Sequence, residues 1–121
     1  MTTLTVRLSN FEDAEARLLE AAERAESGRA SEATPTLGFS SYEVMHRILA
    51  PSRLEIVKTL VGTGPLSIRE VARRLDRDVQ AVHRDVMTLI NSGVIDRGEK
   101  GIEFPYDGIR FEFDIKAGKA A

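Results

Sequence analysis

Residues 65–97 read PLSIREVARRLDRDVQAVHRDVMTLINSGVIDR, and this stretch decides the fold of the 121-residue chain. Its first part predicts an amphipathic helix, because apolar residues recur at helical spacing on one face. That face consists of Ile68, Val71, Ala72 and Leu75. Ser67 is expected to cap the helix through its hydroxyl, while Glu70 reaches back to the backbone N–H of the capping residue. The stretch therefore begins with a well-specified helix.

A second helix follows after the polar residues Asp76, Arg77 and Asp78. Asp78 is a credible N-cap, and Gly93 ends the pattern. The apolar positions of this helix are Val79, Val82, Val86, Leu89 and Ile90. Two amphipathic helices joined by so short a break are typical of a helix-turn-helix.

The face opposite the apolar stripe of the second helix has the make-up of a base-reading surface. It carries Gln80 and Arg84, with His83 on its flank. Arginine matches the O6 and N7 atoms of guanine, and glutamine pairs with adenine, so these residues are predicted to read bases. Phosphate contacts are predicted for Ser67, Arg69, Arg73, Arg74, Arg77, Arg97 and Lys100. The alternative is that the arginines only solvate a pair of helices.

The residues after Gly93 predict β-structure. Residues 94–97 and 102–105 read as two strands around the turn Gly98-Glu99-Lys100-Gly101, which makes a wing. Residues 109–116 alternate strictly between apolar and polar side chains, which predicts a further strand. Its apolar face, expected to be buried, is Ile109, Phe111, Phe113 and Ile115. Upstream, residues 42–49 and 52–61 predict two more helices.

Over residues 39–116 the chain resembles the winged helix-turn-helix predicted transcriptional regulators of the MarR-like group. The runs SIREVARRL, VHRDVMTL and IRFEFDI carry this resemblance. It implies sequence-specific binding of double-stranded DNA, dimerisation and repression, and it makes Gln80, His83 and Arg84 recognition-helix positions. Some members look like antitoxins encoded beside a small toxin. The alternative function is therefore an antitoxin that neutralises a toxin protein and represses its own promoter.

The N-terminal segment predicts a separate unit. Residues 3–8 alternate as a short strand, and residues 10–27 suit a helix with a narrow apolar seam. Both need a partner surface, so we expect a dimer interface made of Leu4, Val6, Leu8, Phe11 and Leu18. The alternative is that strand and helix pack on their own subunit. Residues 28–36 read as a polar linker. The predicted organisation is thus α+β, with residues 1–37 for assembly and residues 38–121 for DNA binding.

Composition limits the remaining classes. The chain has no cysteine, and its only histidines are His46 and His83, so neither disulfides nor a metal site is expected. No Gly-rich phosphate loop or nucleophile motif appears, so we expect no enzyme and no cofactor. The net charge is −2, with four basic and seven acidic residues in 1–37 (−3) and 13 basic and 12 acidic in 38–121 (+1). No apolar run suits a membrane span, which favours a cytoplasmic protein.

Overall fold

The computed structural model describes residues 2–8, 18–20, 22–23 and 35–115, and these residues form helices and two β-sheets. The α+β class predicted from the sequence is therefore confirmed. The helices are α1 (Tyr42–Ile48), α2 (Pro51–Leu60), α3 (Ile68–Leu75) and α4 (Val79–Asn91). The strands are β1 (Thr3–Leu8), β2 (Thr36–Phe39), β3 (Asp96–Gly98), β4 (Gly101–Glu103) and β5 (Gly108–Glu112).

The N-caps predicted for α3 and α4 are present. The Ser67 hydroxyl accepts a hydrogen bond from the N–H of Glu70 at 3.0 Å. The Asp78 carboxylate accepts one from the N–H of Ala81, also at 3.0 Å. Each cap satisfies a backbone donor that has no partner inside its helix. These bonds fix where the two helices start.

A tight turn joins α3 to α4. Asp76 has the left-handed conformation (φ 52°, ψ 50°), and the N–H of Arg77 donates to the carbonyl of Ala72 at 3.0 Å. The N–H of Asp76 donates to the carbonyl of Arg73 at 3.2 Å, which completes a Schellman ending. The chain therefore needs only three residues to pass from one helix to the next.

Strands β3 and β4 form the predicted antiparallel hairpin, which is fastened to the start of α3. Leu66 and Ile102 exchange two backbone hydrogen bonds, with N···O distances of 2.9 and 2.8 Å. Gly101 has a φ of 130°, and a Cβ there would lie 2.7 Å from the carbonyl carbon of Leu66 and still closer to its oxygen. Only glycine fits this crossing. The hairpin is thus held against the chain that enters α3.

Strand β1 is the central strand of a parallel sheet with the order β2-β1-β5. Leu4 and Val6 on β1 are 3% and 0% exposed, and they belong to the same core as the helices. Their predicted place in a dimer interface is therefore wrong, since the chain itself covers them. Leu8 is partly buried against the same core. Of the other two interface residues, Phe11 lies outside the described residues and Leu18 is 71% exposed.

Strand β2 is absent from the sequence prediction, which assigns residues 28–36 to a linker. Thr36 pairs with Thr5, and Phe39 at the end of β2 is buried. The predicted boundary between residues 37 and 38 falls inside this strand, so the sheet joins the two predicted units. Residues 28–34 and most of the predicted helix 10–27 lie outside the described residues; residues 18–20 and 22–23 are helical.

Strand β5 is shorter than predicted and its apolar face is only partly buried. The strand ends at Glu112, and Ile109 and Phe113 are partly buried. Phe111 is 39% exposed and Ile115 is 89% exposed. The expectation that all four apolar side chains are buried is therefore wrong for these two. Ile115 lies beyond the end of the strand, and Phe111 is on an edge strand that has β1 as its one neighbour among the described residues.

Candidate nucleic-acid interface

The polar face of α4 points away from the core. Val82, Val86 and Leu89 are each 0% exposed, which fixes the rotation of the helix about its axis. Gln80, His83 and Arg84 are consequently exposed, and their side chains make no hydrogen bond or ion pair with any described residue. We call these three residues the α4 polar face. The face holds hydrogen-bonding groups that are free for a ligand, and its role in reading bases stays a prediction.

The carboxylate of Asp85 joins three parts of the helical body. It accepts a hydrogen bond from Nε of Arg53 on α2 at 3.2 Å and one from Nη2 of Arg77 in the α3–α4 turn at 2.7 Å. The Asp85 side chain is only 15% exposed. The side chain of Arg53, which is on α2, also donates to the backbone carbonyl of Arg47 on α1. Asp85 thus holds α4 at a fixed position against α2.

This carboxylate bears on the role predicted for Arg77. The Arg77 side chain is 28% exposed and its guanidinium donates to Asp85, which favours a place in the helix packing; its predicted phosphate contact stays a prediction. Asp85 is not among the residues predicted from the sequence. The available signal was its position in the sequence. Asp85 lies three residues after Val82 and four before Leu89, which places it on the buried side of α4. An unpaired charge there would be costly.

Glu70 forms an ion-pair cluster with Arg73 and Arg74 on the surface of α3. Arg73 donates twice, to Oε1 at 2.8 Å and to Oε2 at 2.6 Å, and Arg74 donates to Oε2 at 2.8 Å. These bonds, first from Arg73 and then from Arg74, lower the pKa of Glu70 to about 2. The carboxylate therefore bonds to the arginines, and not to the backbone N–H that a capping box requires. The cluster carries a net charge of +1, so the two arginines still offer positive charge at the surface.

Two further predicted phosphate ligands lie at the start of α3. Arg69 is exposed and has no ion pair with any described residue. The Ser67 hydroxyl uses an acceptor lone pair for its cap, which leaves its proton free to donate. Arg69 and Arg73 border a surface depression of about 470 Å³ that α3 and the first residue of α4 enclose. Basic side chains of α3 thus lie beside the first residue of α4.

The hairpin is less favourable for an anion. Arg97 and Lys100 are exposed there, as predicted for contacts to phosphate. The same hairpin also carries three acidic residues, so its net charge is −1. They are Asp96, Glu99 and Glu103. Electrostatics therefore favours α3 and α4 over the hairpin as the main surface for a polyanion.

Residues 2–8, 18–20, 22–23 and 35–115 contain neither a group of side chains suited to a metal ion nor a helix able to cross a membrane. No three His, Cys, Asp or Glu side chains within these ranges lie close enough together to hold a metal ion. No helix there has the length and apolarity needed to cross a membrane.

The similarity to a known family covers the helical body and the strands that follow it. The family model described as HVO_A0114 matches residues 48–111, about half of the chain. The uncharacterized protein MJ1503 of Methanocaldococcus jannaschii is 30% identical over 66 residues. The matched part covers 50% of this chain, and the chain spans about half the length of that curated relative. No solved structure matches the chain.

Proposed function

The chain belongs to the HVO_A0114 family, and we propose that it is a sequence-specific regulator that binds double-stranded DNA through a winged helix-turn-helix. The observation that carries this proposal is the α4 polar face. Gln80 and Arg84 lie one turn apart on a capped helix, with exposed side chains that have no partner among the described residues. Helix α4 is the recognition helix in this proposal, and the β3–β4 hairpin is the wing.

The chemistry of the α4 polar face suits the edges of bases. The guanidinium of Arg84 offers two parallel donors to guanine O6 and N7, and Gln80 offers a donor and an acceptor to adenine N7 and N6. The buried opposite face of α4 and the Asp85 ion pairs keep the helix rigid. Rigidity supports base reading, because a contact has to be held in position to discriminate between bases.

The phosphate contacts are proposed for Ser67, Arg69, Arg73 and Arg74, which lie on α3 or at its start, in the helix directly before α4. Arg77 is left out because its guanidinium is held by Asp85 and its side chain is only 28% exposed. The hairpin residues Arg97 and Lys100 add less, since the acidic residues around them repel a phosphate. A matched pair of variants tests whether a residue of α3 contributes more to phosphate binding than a residue of the hairpin. Arg69→Ala should flatten the plot of log affinity against log salt by about 0.9, the value for one phosphate contact, whereas Lys100→Ala should flatten it by less.

A homodimer that represses transcription is part of the proposal. One recognition helix contacts only a few base pairs, so two copies bound to two half-sites supply the specificity that a regulator needs. The toxin partner stays a prediction, because nothing in the described part of the chain bears on it.

The test begins with enrichment of duplexes from a random library by the full chain. Fluorescence anisotropy then compares the enriched duplex with a scrambled one. Arg84→Ala should weaken binding to the enriched duplex by about 1–3 kcal/mol and leave binding to the scrambled duplex nearly unchanged. Arg47→Ala is the charge-matched control, because Arg47 is exposed on α1 and is not among the residues proposed to contact DNA. Equal losses for both duplexes with Arg84→Ala would contradict base reading by α4.

A further inference from the structure

Strand β5 has an open edge that the described residues do not cover. It pairs with β1 on one side, and no other described strand pairs with it. The unpaired N–H and C=O groups of an edge strand are a template for another strand. Phe111 in this strand is 39% exposed, and Ile115 just beyond it is 89% exposed. Open backbone groups and exposed apolar side chains together are typical of a surface that a partner covers.

The strand's own sequence fits a second copy of the chain. We propose that two copies pair through their β5 edges in antiparallel orientation, with the two-fold axis at Phe111. In this register Phe111 lies opposite the partner's Phe111, and Arg110 lies opposite the partner's Glu112. Ile109 lies opposite the partner's Phe113. Apolar side chains then meet on one face of the sheet, and opposite charges meet on the other.

Neighbouring registers bring like residues together. An axis at Arg110 places two arginines opposite each other, and an axis at Glu112 does the same for two glutamates. An axis at Phe113 places Glu112 opposite the partner's Asp114. Like charges directly opposite each other destabilise a strand pair. If one strand shifts by one residue relative to its partner, its side chains change faces, so that an apolar side chain lies opposite a charged one. Charge complementarity thus selects the axis at Phe111.

Arg110 and Glu112, the two charged residues that this register pairs, have no strong ion pair with other described residues of the chain. Arg110 is exposed and has no ion pair with any described residue. Glu112 lies 3.9 Å from Arg7, and both side chains are about half exposed, so this contact within the chain is weak. Pairing with a partner strand would continue the sheet in the order β2-β1-β5-β5-β1-β2 across the two subunits.

This inference deepens the proposed function, because the dimer presents two α4 helices to two half-sites. It is tested without DNA, so its failure is distinct from failure of DNA binding. Sedimentation velocity of the full chain should show a dimer. Arg110→Glu and Glu112→Arg should each weaken dimerisation, on the order of 10- to 100-fold in Kd, because two symmetry-related attractions become repulsions.

Two combinations of these variants distinguish a loss of the proposed strand pairing from a general loss of folding. The double variant carrying Arg110→Glu and Glu112→Arg should dimerise again, since it restores opposite charges. A mixture of the two single variants should form the heterodimer for the same reason. Arg7→Gln is the matched control, because it removes only the contact within the chain and should leave the dimer intact. Circular dichroism checks that each variant is folded.

A cross-link locates the two-fold axis. The chain has no cysteine, so Phe111→Cys introduces a single thiol whose symmetry mate lies within disulfide distance in this register. Oxidation should give a covalent dimer. Ile115→Cys is the control: its thiol is more exposed, but four residues of offset on each strand separate the two copies by about 26 Å. A monomeric wild-type chain, a dimer that survives both charge reversals, or equal cross-linking of the two cysteine variants would overturn the proposal.

Discussion

Replacing Asp85 tests whether the ion pairs inside the helical body hold α4 in place. Asp85→Ala removes one carboxylate and leaves the guanidinium groups of Arg53 and Arg77 without their partner. A hydrogen bond to a charged group contributes about 1.5–3 kcal/mol when it is buried. Since the two arginine side chains are 24% and 28% exposed, water replaces part of that loss. We therefore expect the free energy of unfolding to fall by about 2–3 kcal/mol.

Urea unfolding followed by circular dichroism at pH 7 measures this loss. The matched control is Glu55→Ala, which removes an exposed carboxylate that lies 3.4 Å from Lys58 on α2. A surface pair of that kind contributes less than about 0.5 kcal/mol. If Asp85→Ala cost no more than Glu55→Ala, Asp85 would not hold the helices together. Arg77 would then no longer be excluded from the proposed phosphate-binding surface.

Three further predictions concern other parts of the fold. Gly101→Ala should lower the free energy of unfolding by about 2–4 kcal/mol in the same urea assay, because the positive φ and the carbonyl of Leu66 leave no room for a Cβ; a neutral effect would mean that the hairpin is not fastened there. NMR titration should give the Glu70 carboxyl a pKa of about 2, and Arg73→Gln should raise that pKa towards 4.5. Because the pKa is lowered in the folded state, the stabilisation of the fold by the ionised Glu70 is present above about pH 4.5 and is lost as the pH falls towards 2. Deletion of residues 1–36 removes β1 and the fully buried Val6, so the cooperative unfolding transition should disappear, whereas a folded fragment would show that residues 37–121 form a core alone.

The helices could be predicted from the sequence because their signals are local. Ser67 and Asp78 are capping residues placed directly before apolar stripes, and the structure shows both caps. The hairpin was equally clear, since glycines at both ends of its turn separate two short apolar runs. The buried positions Val82, Val86 and Leu89 follow from the same periodicity. The exposed side of α4, and with it the α4 polar face, was therefore predictable.

The sheet could not be predicted, because it depends on residues far apart in the chain. Strand β1 reads as an isolated strand that needs an edge, and nothing local indicates that β2 and β5 supply both of its neighbours. Strand β2 is four residues long and contains Gly38, so its own pattern is weak. One of the two partners of Asp85 was hidden for the same reason, since Arg53 lies 32 residues away in sequence.

The most direct test of DNA binding by α4 is NMR mapping of the isotope-labelled full chain during titration with the enriched duplex. If α4 reads DNA, the backbone amide signals of Gln80, His83 and Arg84 should move most. Smaller changes are expected at Arg69 and at the hairpin, and none at the buried centre of β1. If the largest changes fell on the parallel sheet while α4 stayed unchanged, or if no signal moved at all, the proposal that α4 reads DNA would be contradicted.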